Sequence, residues 1–363
     1  MRAVPGQVVA GRYRMTDRAE GEIGLPAVDA SGARVRLFGL ELPELLVPGH
    51  PVGAPAPSYG PRLTARVAQV AAVAPTHPRL LRGLAAGPDG EVLWIAEERL
   101  SGGPLSRLAG NGPVSPYRVA EIGADLAGAL RALHEAGLTH GNVTAETVLV
   151  CEDGAAMLGG LLLGAAEEEL CAALGGSVPR RVYETRALML GPRAERWAID
   201  AGAPADAWAL GVLLYRLLTG HGPYPEHDLP TLLAAVRDGR HHPADGCGPL
   251  RPLVERLLQP DPELRPEAAA VQRELRELLA FAPEPLPGGP PDPLLPVPRP
   301  VAGPLVARPR GARRTGRQHT ERQAPSAAGR PGRIPARLLG PLVVGSVFLV
   351  LFAALVGIVL VAG

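Results

Sequence analysis

The stretch Leu138-Thr-His-Gly-Asn-Val-Thr-Ala-Glu-Thr-Val-Leu-Val150, followed by Ala155-Ala-Met-Leu158 and then Gly159-Gly160-Leu161, decides how this chain is read. It comes directly after a helix predicted over Val119–Ala136, where Ile122, Leu126, Leu130 and Leu133 recur at helical spacings. The apolar, β-branched residues up to Val150 predict a short strand. A second short strand is predicted over 155–158, closed by a tight turn at the glycine pair. His140, Asn142, Thr144 and Thr147 interrupt the apolar run and mark a loop between helix and strand.

This order of elements resembles the catalytic floor of eukaryotic-like protein kinases, where His-Arg-Asp-x-x-x-x-Asn precedes Asp-Phe-Gly. His140 matches the His, while Gly141 replaces the Arg and Asn142 the Asp. Thr144 stands where Ser/Thr kinases have Lys, Thr147 at the metal-binding Asn, and Gly159 at the Asp of Asp-Phe-Gly. Phosphoryl transfer needs one carboxylate for the hydroxyl proton and another to hold Mg²⁺ against the β- and γ-phosphates. Asn142 cannot serve as that base, and Gly159 has no side chain to ligate a metal. The resemblance implies a kinase's frame without its chemistry.

Composition sharpens that expectation. The 46% apolar fraction of the 363 residues suffices for a sizeable core, although aromatics are only 4%. All 37 basic residues are Arg. With 45 Gly and 41 Pro, a GC-rich genome accounts for most of the bias. Even so, a chain without Lys cannot supply the strand lysine that such kinases place on the α- and β-phosphates. A net charge of +1 argues against nucleic acid as a partner of the whole protein. Cys151, Cys171 and Cys247 are too few and scattered for a disulfide framework and fit a reducing compartment. Met1 to Val9 lacks the apolar region of a secretory signal.

Residues 11 to 40 resemble the first strands of a bacterial kinase N-lobe, with a hairpin turn over Asp29 to Gly32. The phosphate loop is reduced to Gly21 and Gly24, and one Gly-x-x-Gly reads as a simple turn before it reads as a cradle. Where the family has Val-Ala-Ile-Lys, the chain has Val35-Arg-Leu-Phe38, which puts Phe38 at the Lys position and an apolar ring in the nucleotide pocket. Arg36 is expected on the opposite face of that strand. The helix predicted over Arg62 to Val73 matches helix C by its place before His77-Pro78. No Asp or Glu occurs between Glu44 and Asp89, so the usual lysine–glutamate pair lacks both partners. Two strands follow around Gly87 to Gly90, then a hinge from Glu97 to Gly103 and a short helix over 105–108.

Beyond the catalytic segment, Gly175 to Arg186 stands for a shortened activation segment, and Leu190-Gly-Pro-Arg193 for Ala-Pro-Glu. Arg265, in Leu264-Arg-Pro-Glu-Ala, resembles the arginine that pairs with the glutamate of that motif; Arg193 stands at that glutamate's place, and two facing arginines would repel unless Glu195 substitutes. Pro204 to Gly220, with Asp206, Trp208 and Gly211, resembles helix F of the C-lobe nearly residue for residue. The resemblance implies that Asp206 holds the backbone of the catalytic loop. His221, His227, His241, His242 and Cys247 fit no zinc spacing and read as a solvated, loop-rich segment.

From Pro283 the chain turns to Pro, Gly and Arg without periodicity, the composition of a disordered linker. Ten Arg and the single acid Glu321 lie between Arg299 and Arg337. Pro341 to Gly363 then runs uncharged, long enough to cross a hydrocarbon core of about 30 Å. Arg-rich flanks stay cytoplasmic, so the expected arrangement is a single pass through the inner cell membrane, the kinase-like domain inside and the C-terminus outside. The arginine run is expected to contact anionic lipid. Thr315, Thr320 and Ser326 are candidate phosphoacceptors, with an unmodified spacer the simpler reading.

The expected fold is α+β and two-lobed like a protein kinase: a β-rich N-lobe over about 11–97, a helical C-lobe over about 103–280, a linker over 281–337 and a transmembrane helix over 341–361. The expected function is a catalytically inactive, membrane-anchored protein-binding scaffold or regulator in Ser/Thr phosphorylation signalling. Its partners would be proteins, such as an active Ser/Thr kinase or the envelope and division machinery, and it would need no cofactor. The alternative is a divergent Ser/Thr kinase that retains ATP and Mg²⁺ with relocated carboxylates, Asp153 or Glu146.

Overall fold

The computed structural model describes residues 4–17, 24–43, 59–110, 112–176, 193–198 and 201–282. Contacts divide the chain into Met1–Arg299 and Pro300–Gly363, and every described residue belongs to the first unit. Gly21, most of the activation segment, the linker with its three candidate phosphoacceptors, and the apolar run at 341–363 lie outside the described residues. Among those described, no helix is long and apolar enough to cross a membrane.

The N-terminal part is a six-stranded sheet of β1 (Val8–Val9), β2 (Tyr13–Met15), β3 (Leu25–Val28), β4 (Arg34–Glu41), β5 (Gly83–Asp89) and β6 (Val92–Glu98). Its order is β1-β2-β3-β4-β6-β5, with β4 central and antiparallel to β6. Alternation along β4 sends Val35 and Leu37 into an outer cluster with Tyr13, Met15, Trp94 and Ala96. Leu40 and the partly buried Phe38 join the main core, where helix α1 (Gly60–Val73) supplies Leu63, Val67 and Val70.

The C-terminal part is built on α3 (Pro116–Glu135) and α5 (Ala203–Thr219), reached through β7 (Gly102–Pro104) and the short helix α2 (Leu105–Ala109). Pro116 at the start of α3 has a preset φ and no amide to leave unpaired. Gly137 ends that helix in the left-handed region. Nearly every residue of α5 is buried, which explains why its sequence is apolar all round. Gly211 allows this crowding, because a Cβ there would lie 2.6 Å from the Cβ of Leu257 on α7 (Arg251–Leu257). Helices α6 (Leu229–Arg237) and α8 (Ala268–Ala280) complete the lobe, with α8 packed along α3.

Strand β8 (Val148–Cys151) pairs with β7 and with β9 (Ala156–Leu158) in a small antiparallel sheet. Helix α4 (Leu161–Gly175) then starts at once, from Gly160 in the left-handed region, and packs against α1. The sequence predicts a two-residue turn at this point; the structure puts a four-turn apolar helix directly behind it.

Candidate functional site

The loop between α3 and β8 is held from below by α5. Asp206, buried in the first turn of that helix, accepts hydrogen bonds from the backbone N–H groups of His140 and Gly141, both at 2.8 Å. Its Oδ2 also lies 2.9 Å from Nε2 of His134 on α3. One carboxylate thereby ties the loop to two helices. Gly141 turns the chain through the left-handed region at φ +68°.

His140 is fully enclosed. The Asn142 N–H donates to its Nδ1 at 3.2 Å, and its Nε2 lies 3.1 Å from the carbonyl oxygen of Gly159. These partners require the neutral ring with its proton on Nε2, because a proton on Nδ1 would face another donor. Burial pushes the imidazole down to about 4 from its ordinary 6.5, against the upward pull of Asp206 and the Gly159 carbonyl. The unfolded chain therefore binds more protons than the folded one between pH 6.5 and 4. Stability that is complete above pH 6.5 is lost as the pH falls through this window, at up to about 1.4 kcal/mol per unit. Equilibrium unfolding by urea at several pH values checks this, with His140→Gln expected to flatten the slope.

The threonines serve the loop's own backbone. The Thr147 hydroxyl donates to the Asn142 carbonyl at 2.7 Å and accepts from the Thr144 N–H at 3.1 Å. Thr144 Oγ1 accepts from the Thr147 N–H at 3.3 Å. Asn142 is 2% exposed, and among the described residues neither atom of its side-chain amide has a hydrogen-bond partner. Gly164 of α4 lies over it: a Cβ at that position would be 3.0 Å from the Asn142 Cβ. Helix α4 therefore covers the side chain at the base position.

Above the glycine pair the structure overturns one expectation. Arg36 does not point away from the face that Phe38 occupies. Residues two apart on a strand share a face, and the Arg36 guanidinium lies 5.3 Å from the centroid of the Phe38 ring. Arg36 is buried and paired with buried Glu97, its direct cross-strand partner on β6. Glu97, expected in the hinge, is instead inside the cleft, where its other oxygen accepts the Gly160 N–H at 2.6 Å. The acid missing from α1 is thus supplied by a neighbouring strand. Alternation across Val35-Arg36-Leu37 and Ala96-Glu97-Glu98 would have pointed to this pair, but the register joining two segments 61 residues apart is not written in either.

The glycines make room for this arrangement. A Cβ at Gly159 would come within 2.9 Å of both the Arg36 Nη2 and the Glu97 Oε2, and within 2.8 Å of Leu81. A Cβ at Gly83 would meet Leu162 of α4 at 2.4 Å. The space beside Gly159 is filled by an internal ion pair.

Magnesium and ATP fit this site poorly. Among the described residues the buried cation facing the glycine pair, Arg36, is already neutralised by Glu97, Gly159 offers no ligand, and the Thr147 hydroxyl is committed to the backbone. The two relocated carboxylates have other work. Glu146 pairs with Arg193, and Asp153 accepts the Ala155 N–H in the β8–β9 turn.

Farther down, Glu195 is buried and pairs with Arg216 of α5 at 3.1 Å. Arg265 donates to the carbonyl oxygens of Gln259, Pro204 and Pro260. Trp208 packs its ring 5.7 Å from that of Tyr224.

The protein kinase domain family matches residues 66–275. The chain is 30% identical over 203 residues to the serine/threonine-protein kinase PkaA of Streptomyces coelicolor, covering 55% of this chain and 37% of that protein. It is 30% identical over 265 residues to the serine/threonine-protein kinase AfsK of Streptomyces griseus, covering 70% and 30%. Over 141 residues it is 33% identical to the serine/threonine-protein kinase PknL of Mycobacterium tuberculosis, covering 38% and 33%. The chain spans about a third of the length of these relatives.

Proposed function

We propose a function from one premise: the chain belongs to the protein kinase domain family, which matches its residues 66–275. Within that family it is a pseudokinase, a kinase-like domain of the Ser/Thr type that binds proteins and does not transfer phosphate. The observation that carries this reading is the Arg36–Glu97 pair lodged against Gly159, with the Glu97 carboxylate also holding the Gly160 amide. A cation saturated by an internal carboxylate has little left for a triphosphate, and an added metal ligand at 159 would collide with that pair. Membrane anchoring through 341–361, with the domain on the cytoplasmic side and the arginine-rich linker against anionic lipid, belongs to the same proposal. So do a protein partner in Ser/Thr signalling and the absence of a nucleotide requirement.

The rival reading is a divergent kinase retaining ATP and weak phosphotransfer, and the relatives' shared activity favours it. Ligand that binds only the folded state must raise the melting temperature. The full chain, purified in detergent, is expected to melt at the same temperature with and without ATP and Mg²⁺, and to incorporate no phosphate into itself or a generic basic protein. A magnesium-dependent rise accompanied by incorporated phosphate would establish the divergent kinase instead.

A further inference from the structure

The outer face of the six-stranded sheet carries a cavity of about 320 Å³ lined by Arg12, Tyr13, Asp29, Arg34, Arg82 and Glu98. Val35 also lines it, whereas the adjacent Arg36 faces the cleft, so β4 separates the two. Strand ends bring these residues together. Tyr13 starts β2, Asp29 follows β3, Arg34 starts β4, Glu98 ends β6 and Arg82 precedes β5.

Arg12, Arg34 and Arg82 are all exposed, and among the described residues none makes an ion pair with a carboxylate, although the Arg12 charge acts on Asp29. Arg12 lies over the Tyr13 ring, 5.4 Å from its centroid. The two acids are already engaged: Asp29 accepts the Ser31 and Ala33 N–H groups at 2.8 and 2.9 Å, and Glu98 accepts the Arg82 N–H at 2.6 Å. Tyr13 is 3% exposed, yet its hydroxyl has no hydrogen-bond partner among the described residues. That hydroxyl is closed off from solvent, so the arginines alone offer donors to a ligand in the cavity.

We infer that this cavity binds a phosphoryl group. Guanidinium forks match the oxygens of carboxylates and phosphates. Three forks are more donors than a two-oxygen carboxylate can take, whereas a tetrahedral phosphoryl group offers three terminal oxygens. Three arginines against two carboxylates leave the lining positive. The inference is independent of whether the cleft holds nucleotide, because the cavity lies on the other side of β4. The phosphoryl group has two candidate sources, a small phosphate compound or a phosphorylated hydroxyl side chain.

Calorimetric titration of the full chain in detergent, at fixed ionic strength, tests the site with pyrophosphate and with a phosphothreonine peptide as probes. Saturable binding is expected for at least one of them. The triple variant Arg12→Gln, Arg34→Gln, Arg82→Gln should weaken it at least about tenfold, since each charged hydrogen bond is worth that or more. These side chains are exposed, so an unchanged melting temperature without probe is expected of the variant. Tighter binding of the peptide assigns the source to a phosphorylated chain, and tighter binding of pyrophosphate to a small compound; either supports the site. Failure of both probes to saturate, or equal binding by wild type and the triple variant, would overturn it.

Discussion

Replacing Arg36 by Met is expected to lower stability by about 3–5 kcal/mol, because it leaves the Glu97 carboxylate buried with a backbone N–H in place of a cation. For a domain of this size that corresponds to a drop in melting temperature of roughly 6–20 °C. Glu97→Gln should cost a comparable amount, since it strands the guanidinium and weakens the hold on the Gly160 amide. The informative variant is the double change Arg36→Met with Glu97→Leu. Removing both charges also removes both desolvation penalties, and buried pairs exchanged for well-packed apolar residues are often neutral or better. The double variant should therefore recover most of the loss, short of the lost bond to Gly160, and the cycle of four proteins should give a large coupling energy. Additive losses would mean that the two side chains do not share a site, and the reading of the cleft as internally saturated would fall with them.

The same pair marks where the sequence stops being legible. Helix positions were readable because apolar residues recur at helical spacing: the predicted Val119–Ala136 corresponds to Pro116–Glu135, and the predicted Arg62–Val73 to Gly60–Val73. The region of Asp206, Trp208 and Gly211 was readable because a helix buried on every side must be apolar on every side. Arg36 was misplaced against the strand's own alternation, which puts residues 36 and 38 on one face, but alternation says nothing of what lies opposite that face. Its partner comes from β6, and that register depends on the turn and packing of the sheet. Helix α4 was missed for a related reason. Leu161 to Gly175 is apolar without strong sidedness, being enclosed by α1 above and the His140–Asn142 loop below, so no amphipathic stripe announced it. The residue types at 142 and 159 could be read from the sequence alone, whereas their surroundings could not. That α4 covers Asn142 and an ion pair fills the space beside Gly159 is a tertiary fact.

Asp206→Ala is expected to be as damaging as any single change in the C-terminal part, at roughly 3–6 kcal/mol. Its carboxylate is 1% exposed and accepts from two backbone N–H groups and the His134 ring. Hydrogen bonds to a charged group contribute about 1.5–3 kcal/mol each, and the His140 amide left behind is buried and unpaired. Asp206→Asn separates charge from shape. It keeps the volume and one acceptor oxygen, but its NH₂ must face an N–H, so a smaller loss of about 2–4 kcal/mol is expected. Urea unfolding measures both losses. Amide hydrogen exchange then tests where they act: residues 139–142 and the first turn of α4 should lose protection before α5 itself does, because Asp206 ties the loop to the helix and the helix core does not depend on the loop. Loss of protection spread evenly over α5 would instead make Asp206 a determinant of the helix. If Asp206→Ala melts like the wild type, the carboxylate does not hold the loop.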